Sequence, residues 1–160
     1  MIYHGIFSSI LTYGSMIWGQ QNNVTKRLQV LQNNALRIMH FQPPRTSPTP
    51  LFKTSGILKL NDNVNLQNFI LVHDCLKKVL PVSLRGKMNF LEHAHATRTM
   101  GCLQLHRPRS NTVTYGSKSI NARAIDMWNS INKNHHEMKF HEKSRSICKD
   151  FIQKLLLSQY

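Results

Sequence analysis

The chain has 160 residues and carries 21 Lys+Arg against 7 Asp+Glu, a formal charge of +14 with histidine neutral. Hydrophobic residues make up 41% of it, enough to bury a core and too many for a disordered tail. Cys75, Cys102 and Cys148 are an odd number of cysteines at wide spacings, which argues against a disulfide framework and for a reducing compartment.

Residues 2 to 18 put Ile2, Ile6 and Ile10 at helical spacing, with Phe7 and Leu11 on the adjoining edge. They predict a mostly buried helix running through Gly14 into a turn at Trp18 and Gly19. The stretch lacks a basic leader and is interrupted by Gly5, Ser8, Ser9, Thr12 and Gly14, so neither a signal peptide nor a membrane role is expected. Asn22, Asn23 and Thr25 offer caps for the next helix, in which Val24, Leu28, Leu31, Ala35 and Ile38 repeat at 4, 3, 4 and 3 residues. That stripe reads as core. The polar side carries Lys26, Arg27, Gln29, Gln32, Asn33 and Arg37, all able to meet phosphate or sugar oxygens.

Pro43, Pro44, Pro48 and Pro50 mark a break that no helix crosses. A Pro-rich linker and short helix over residues 46–60 should centre on Leu51 and Phe52 and stop at Gly56. A longer helix from about Asp62 to Leu80 shows Val64, Phe69, Val72, Leu76 and Val79 and ends at Pro81. Within it, Cys75 reads as a packing residue and His73 as a surface one. Periodicity fades over 85–119, which predicts loops with two short strands. Helix resumes near Ser119 with Ile120, Ala124, Trp128 and Ile131, Trp128 being the expected core anchor. A last helix has Ile147, Phe151 and Leu155 on one edge and Cys148, Ile152 and Leu156 on the other. The fold class is mainly α, divided into helical residues 1–45, the linker segment 46–60, and a helical region 61–160 containing an irregular basic loop.

The charge is uneven. No acidic residue precedes Asp62, while Lys26, Arg27, Arg37, Arg45, Lys53 and Lys59 do. A second acid-free window between Glu92 and Asp126 holds Arg98, Arg107, Arg109, Lys118 and Arg123. Uncompensated positive surface repels itself, and a nucleic-acid backbone is the partner whose phosphates offset it. Two-metal polymerase or nuclease chemistry needs clustered carboxylates, and this chain has scattered ones. Nor is there a glycine-rich phosphate loop or a nucleophile elbow. No catalytic residue, cofactor or small-molecule substrate is expected. His93, His95, Cys102 and His106 have the spacing H-x-H-x6-C-x3-H; the ligand types suit zinc, whereas the paired C-x2-C element of structural zinc sites is absent.

Taken in order, the segments resemble the carboxy-terminal part of a jockey-like non-LTR retrotransposon reverse transcriptase. Leu11-Thr12-Tyr13-Gly14 with Trp18-Gly19 is similar to its "LTYG…WG" helix. Leu28-Gln29-Val30-Leu31-Gln32-Asn33 through Ala35-Leu36-Arg37-Ile38 resembles "LQ-LQN-A-RI". Pro50-Leu51-Phe52 and Gly56-Ile57-Leu58-Lys59-Leu60 resemble "PLF…ILKL". Thr97-Arg98 with His93 and His95, Tyr115-Gly116 with Ser119-Ile120, and Trp128-Asn129 resemble "H-H-TR", "YG-SI" and "WN". The chain departs from the family at Ala124-Ile125-Asp126-Met127, where a Gly-Pro or similar pair is frequent.

The resemblance implies that residues 1–45 are a thumb-like helical segment and that the rest is a carboxy-terminal extension. The implied partners are RNA or DNA backbone and the upstream palm and fingers. The family's catalytic aspartates lie upstream of the matched region, so the parent's RNA-directed DNA polymerase activity does not carry over. A nuclear address follows from the family analogy alone. Two other readings stay open: a stand-alone basic nucleic-acid-binding or scaffold module, and a non-functional relic of the element.

Overall fold

A computed structural model describes residues 3–86, 88–91 and 104–160. The described chain is mainly helical. After a π-helical turn at Tyr3–Ser8 come α1 (Ser9–Thr12), α2 (Ser15–Trp18), α3 (Asn22–Met39), α4 (Thr49–Ser55), α5 (Leu60–Leu76) and α6 (Val82–Arg85). A second π-helical turn at Val113–Ser117 leads into α7 (Ile120–Asn134), and α8 (Arg145–Leu157) closes the series. Where two short strands were expected, the described residues hold a single antiparallel bridge, Phe90 with Leu105. None of the described helices is long and apolar enough to cross a membrane. Two compact units result: Met1–Leu66 with Asp150–Tyr160, and Gln67–Lys149.

In the first unit, the opening segment differs from its sequence pattern. Tyr3, Leu11 and Ser15 are buried, while Ile6, Ile10, Tyr13 and Ile17 are exposed, Ile10 to 69%. The cause is local. A π-helical turn bonds each N–H to the carbonyl five residues back, so a stripe counted at 3.6 residues slips off the inward face, and the turn at Tyr13 and Gly14 resets it again. Gly14 has φ +60°, a conformation that suits glycine, and the Trp18 indole N–H donates to Tyr13 O at 2.8 Å across this turn. Gly19 is needed for close approach: a Cβ there would lie 2.3 Å from Ser15 O and 2.5 Å from Val64 Cγ2.

Helix α3 also turns a different face inward. The expected core stripe is half-buried at Val24, Leu28 and Ala35 and exposed at Leu31 (55%) and Ile38 (75%). Thr25, Gln32 and Leu36 are buried instead. Two glutamines decide this. Gln32 Nε2 donates to Tyr3 OH and to Leu58 O, both at 2.9 Å. Gln29 Oε1 accepts from the Leu60 backbone N–H at 2.9 Å, while Gln29 Nε2 donates to Gln32 Oε1 at 2.9 Å. The unpaired backbone groups of the chain entering α5 thus find partners on α3, which a hydrocarbon face could not supply.

Beside that network, Tyr3, Leu36, Phe52 and Ile57 form an apolar cluster with Phe7 and Tyr160 against it. Phe52 comes from α4, whose first turn contains Pro50 and which stops at Gly56, as the sequence suggests. Tyr160 packs edge-on to Phe52 with centroids 6.1 Å apart. Its hydroxyl donates to Asp62 Oδ2 and accepts from the Lys59 N–H at 2.7 Å.

The second unit is built round three aromatic rings. Trp128 stacks on Phe69 with centroids 4.9 Å apart, and Phe140 meets Phe69 edge-on at 5.4 Å; all three are fully buried. Trp128 is the core anchor its spacing predicts. Its neighbour Asn129 clamps the backbone of Leu105: Nδ2 donates to the carbonyl at 2.9 Å and Oδ1 accepts from the N–H at 2.8 Å. Helix α7 begins at Ser119, whose hydroxyl accepts from the Ala122 N–H. Helix α5 ends at Leu76, four residues short of its expected end. His73 is buried rather than on the surface, because its Nε2–H reaches the Lys143 carbonyl at 3.1 Å while Nδ1 lies 3.6 Å from Asp74 Oδ1.

Two outcomes follow for the first unit. Gln32→Leu leaves the Tyr3 hydroxyl, the Leu58 carbonyl and one Gln29 donor with fewer partners, and should cost about 1–3 kcal/mol, read as a lower urea midpoint at unchanged m. Burial, reinforced by the hydrogen bond to Asp62, raises the Tyr160 pKa above the ordinary tyrosine value near 10. The folded state therefore retains that proton longer than the unfolded one. Its contribution is full below about pH 10 and falls as pH rises past it, so Tyr160→Phe should be less stable at neutrality yet lose less between pH 9 and 11.

Candidate nucleic-acid interface

Lys26 and Arg27 sit exposed in the second turn of α3. Neither makes a hydrogen bond or ion pair among the described residues. The first turn of α3 has no acidic residue, and the positive end of the helix dipole lies close to both cations. Nothing in the helix itself stabilises them there. On the same helix Val30, Leu31, Ile38 and Met39 are exposed, so cations and large apolar side chains share the solvent-facing surface.

Arg37 has other partners. Its Nε donates to the Thr46 carbonyl and its Nη1 to Asn34 Oδ1, both at 2.9 Å. Of its five donors, one fastens the loop after α3 to the helix end and one stays within the helix, so this guanidinium holds local structure while the others stay available. The loop itself is a tight turn, with the Thr46 N–H donating to Pro43 O at 3.0 Å, and it exposes Arg45.

In the second unit Arg107 Nε lies 2.8 Å from Asp126 Oδ1, both groups about half exposed. Asp126 stands exposed on α7 between buried Ile125 and half-buried Met127. Arg109 is exposed, and Lys118 and Arg123 are partly buried. None of these three forms an ion pair among the described residues. Arg98 lies outside the described residues, as do His93, His95 and Cys102 of the zinc pattern. His106 is exposed, and the described residues contain no group of three or more metal-ligating side chains.

Two pockets of the second unit are lined, among the described residues, without a carboxylate. One is lined by Cys75, Leu76, Val82, Met88 and Phe90 with Lys78 and Arg85 at its side. Another is lined by Gln67, Ile70, Arg145, Ser146 and Lys149, with Arg145 Nε 3.3 Å from Asp74 Oδ2. Cys75 and Cys148 are buried free thiols whose pKa values burial raises, which disfavours the reactive thiolate. Comparison with family models, curated proteins and solved structures finds no match for this chain.

Several features escaped the sequence pattern: the inward amide pair Gln29 and Gln32, the exposed apolar rows of the first unit, and Phe41, which stands in solvent just past α3. The available signals were the two glutamines three residues apart and an aromatic residue directly ahead of Pro43-Pro44.

Proposed function

We propose that this chain is the thumb-like and carboxy-terminal region of an RNA-directed DNA polymerase of the jockey-like non-LTR retrotransposon class. In this reading it grips the sugar–phosphate backbone of template, primer or element RNA and has no catalytic site of its own. The order of its sequence segments supports the family. The observation that carries the binding role is the pair Lys26 and Arg27, without a partner among the described residues, on a helix whose unit has no acidic side chain before Asp62. Phosphate contacts of this kind supply affinity without reading bases.

The exposed row Ile6, Ile10, Tyr13 and Ile17 supports docking against a further protein surface, the role an upstream palm would fill. The second reading, a stand-alone basic binding module, draws support from each unit having its own aromatic or apolar cluster. The two differ in solution. Sedimentation at rising concentration should show self-association through the uncovered row, weakened by Ile10→Lys with Ile17→Lys; a monomer at every concentration favours the module.

Backbone binding is tested by titrating a labelled single-stranded RNA over a range of salt. Affinity should fall linearly on a log–log plot, and Lys26→Ala with Arg27→Ala should make the slope shallower by about 1.4, at about 0.7 per lost phosphate contact. Arg107→Ala should change it less, since its guanidinium already neutralises Asp126. A salt-independent affinity overturns the assignment.

A further inference from the structure

Three helices of this chain end on the same backbone pattern. At the end of α3 the Phe41 N–H donates to Ile38 O at 3.1 Å and the Gln42 N–H to Arg37 O at 2.9 Å. At the end of α4 Gly56 donates to Lys53 O and Ile57 to Phe52 O; at the end of α5 Lys78 donates to Cys75 O and Val79 to Asp74 O. This is the Schellman closure, and its turning residue takes left-handed backbone. The φ values are 51° at Phe41, 65° at Gly56 and 60° at Lys78.

Glycine fits that position without strain. Lysine meets the same Cβ crowding but keeps its charge in water. Phenylalanine is unfavourable on both counts. Its Cβ is crowded against the backbone, and its ring is 95% exposed, so no burial offsets the strain. Backbone strain of this kind persists at positions under another demand.

The surroundings narrow what that demand is. Arg37 ties the loop to the helix through Thr46, Pro43 and Pro44 restrict its backbone, and Arg45 stands exposed four residues beyond the ring without an ion pair among the described residues. The loop side of Phe41 therefore presents Gln42, two prolines and a free guanidinium, in the acid-free part of the sequence. An exposed aromatic ring followed within four residues by two prolines and an exposed arginine is a combination suited to holding unpaired bases. Every base has a π-face to stack, and the guanidinium takes the flanking phosphate.

We propose that Phe41 is a stacking platform for an unpaired base, with Arg45 on the adjacent phosphate, so that the first unit prefers single-stranded nucleic acid to duplex. This rests on the backbone-binding reading above and adds to it the strand state and the residue that recognises it.

Phe41→Gly tests the idea, because it removes the ring and relieves the backbone at once. The full chain carrying it should melt at a higher temperature than the parent. It should bind a 12-nucleotide single-stranded RNA about tenfold more weakly and a hairpin-capped duplex of the same sequence within about twofold. Phe41→Trp should bind the single strand as tightly as the parent or more so. Unchanged single-strand affinity in Phe41→Gly overturns the proposal, as does an equal loss on both RNAs. A loss of self-association with RNA binding intact also overturns it and assigns the ring to a protein contact. If the parent chain binds neither RNA, the backbone-binding reading fails first and takes the platform with it; if the parent binds and Phe41→Gly matches it, the platform alone fails.

Discussion

Two amide side chains, Gln29 and Gln32, set the inward face of the longest helix in the first unit. The Leu58 carbonyl and the Leu60 N–H find their partners in the side chains of α3, and a buried unpaired N–H or carbonyl costs about as much as several methylenes of burial return. The glutamines supply those partners, and in doing so rotate α3 away from the orientation its aliphatic spacing favours. The outward position of Leu31 and Ile38 follows from this. So does the presence of cations and apolar groups on one surface.

That combined surface sets the first unit apart from the second. Lys26 and Arg27 make no hydrogen bond or ion pair among the described residues, Arg37 gives one donor to the loop and one to Asn34 of its own helix, and Phe41 ends the helix in a conformation better suited to glycine. The second unit distributes its cations differently. Arg107 is engaged with Asp126, while Arg109, Lys118 and Arg123 stand without acidic partners among the described residues. Its centre is the aromatic cluster of Phe69, Trp128 and Phe140.

Much of the fold was legible in the sequence because it depends on local signals. Gly56 stopping α4, Ser119 opening α7 and Trp128 anchoring a core each follow from a residue's own chemistry and its near neighbours. Contacts made at long range were not legible. The inward face of α3 depends on Leu58 and Leu60, 26 and 31 residues away, and the burial of His73 depends on a carbonyl 70 residues on. Hydrophobic spacing weighs only side chains, and it cannot register backbone groups that need partners. Several residues carrying the resemblance, Gly14, Trp18, Gly19, Gln29, Gln32 and Asn129, hold turns, close approaches or backbone clamps. Of the candidate site, the exposure of Lys26 and Arg27 could be read from the helix period, whereas the second allegiance of Arg37 and Arg107 could not.

The scarcity of carboxylates in the first unit has a further consequence. Asp62 and Asp150 are its only acidic side chains, and Asp62 is already engaged by Tyr160. Against these two carboxylates stand Lys26, Arg27, Arg37, Arg45, Lys53, Lys59 and Lys154, seven permanent cations. Such a surplus repels itself, and dissolved counterions screen that repulsion, so salt steadies the fold of this unit.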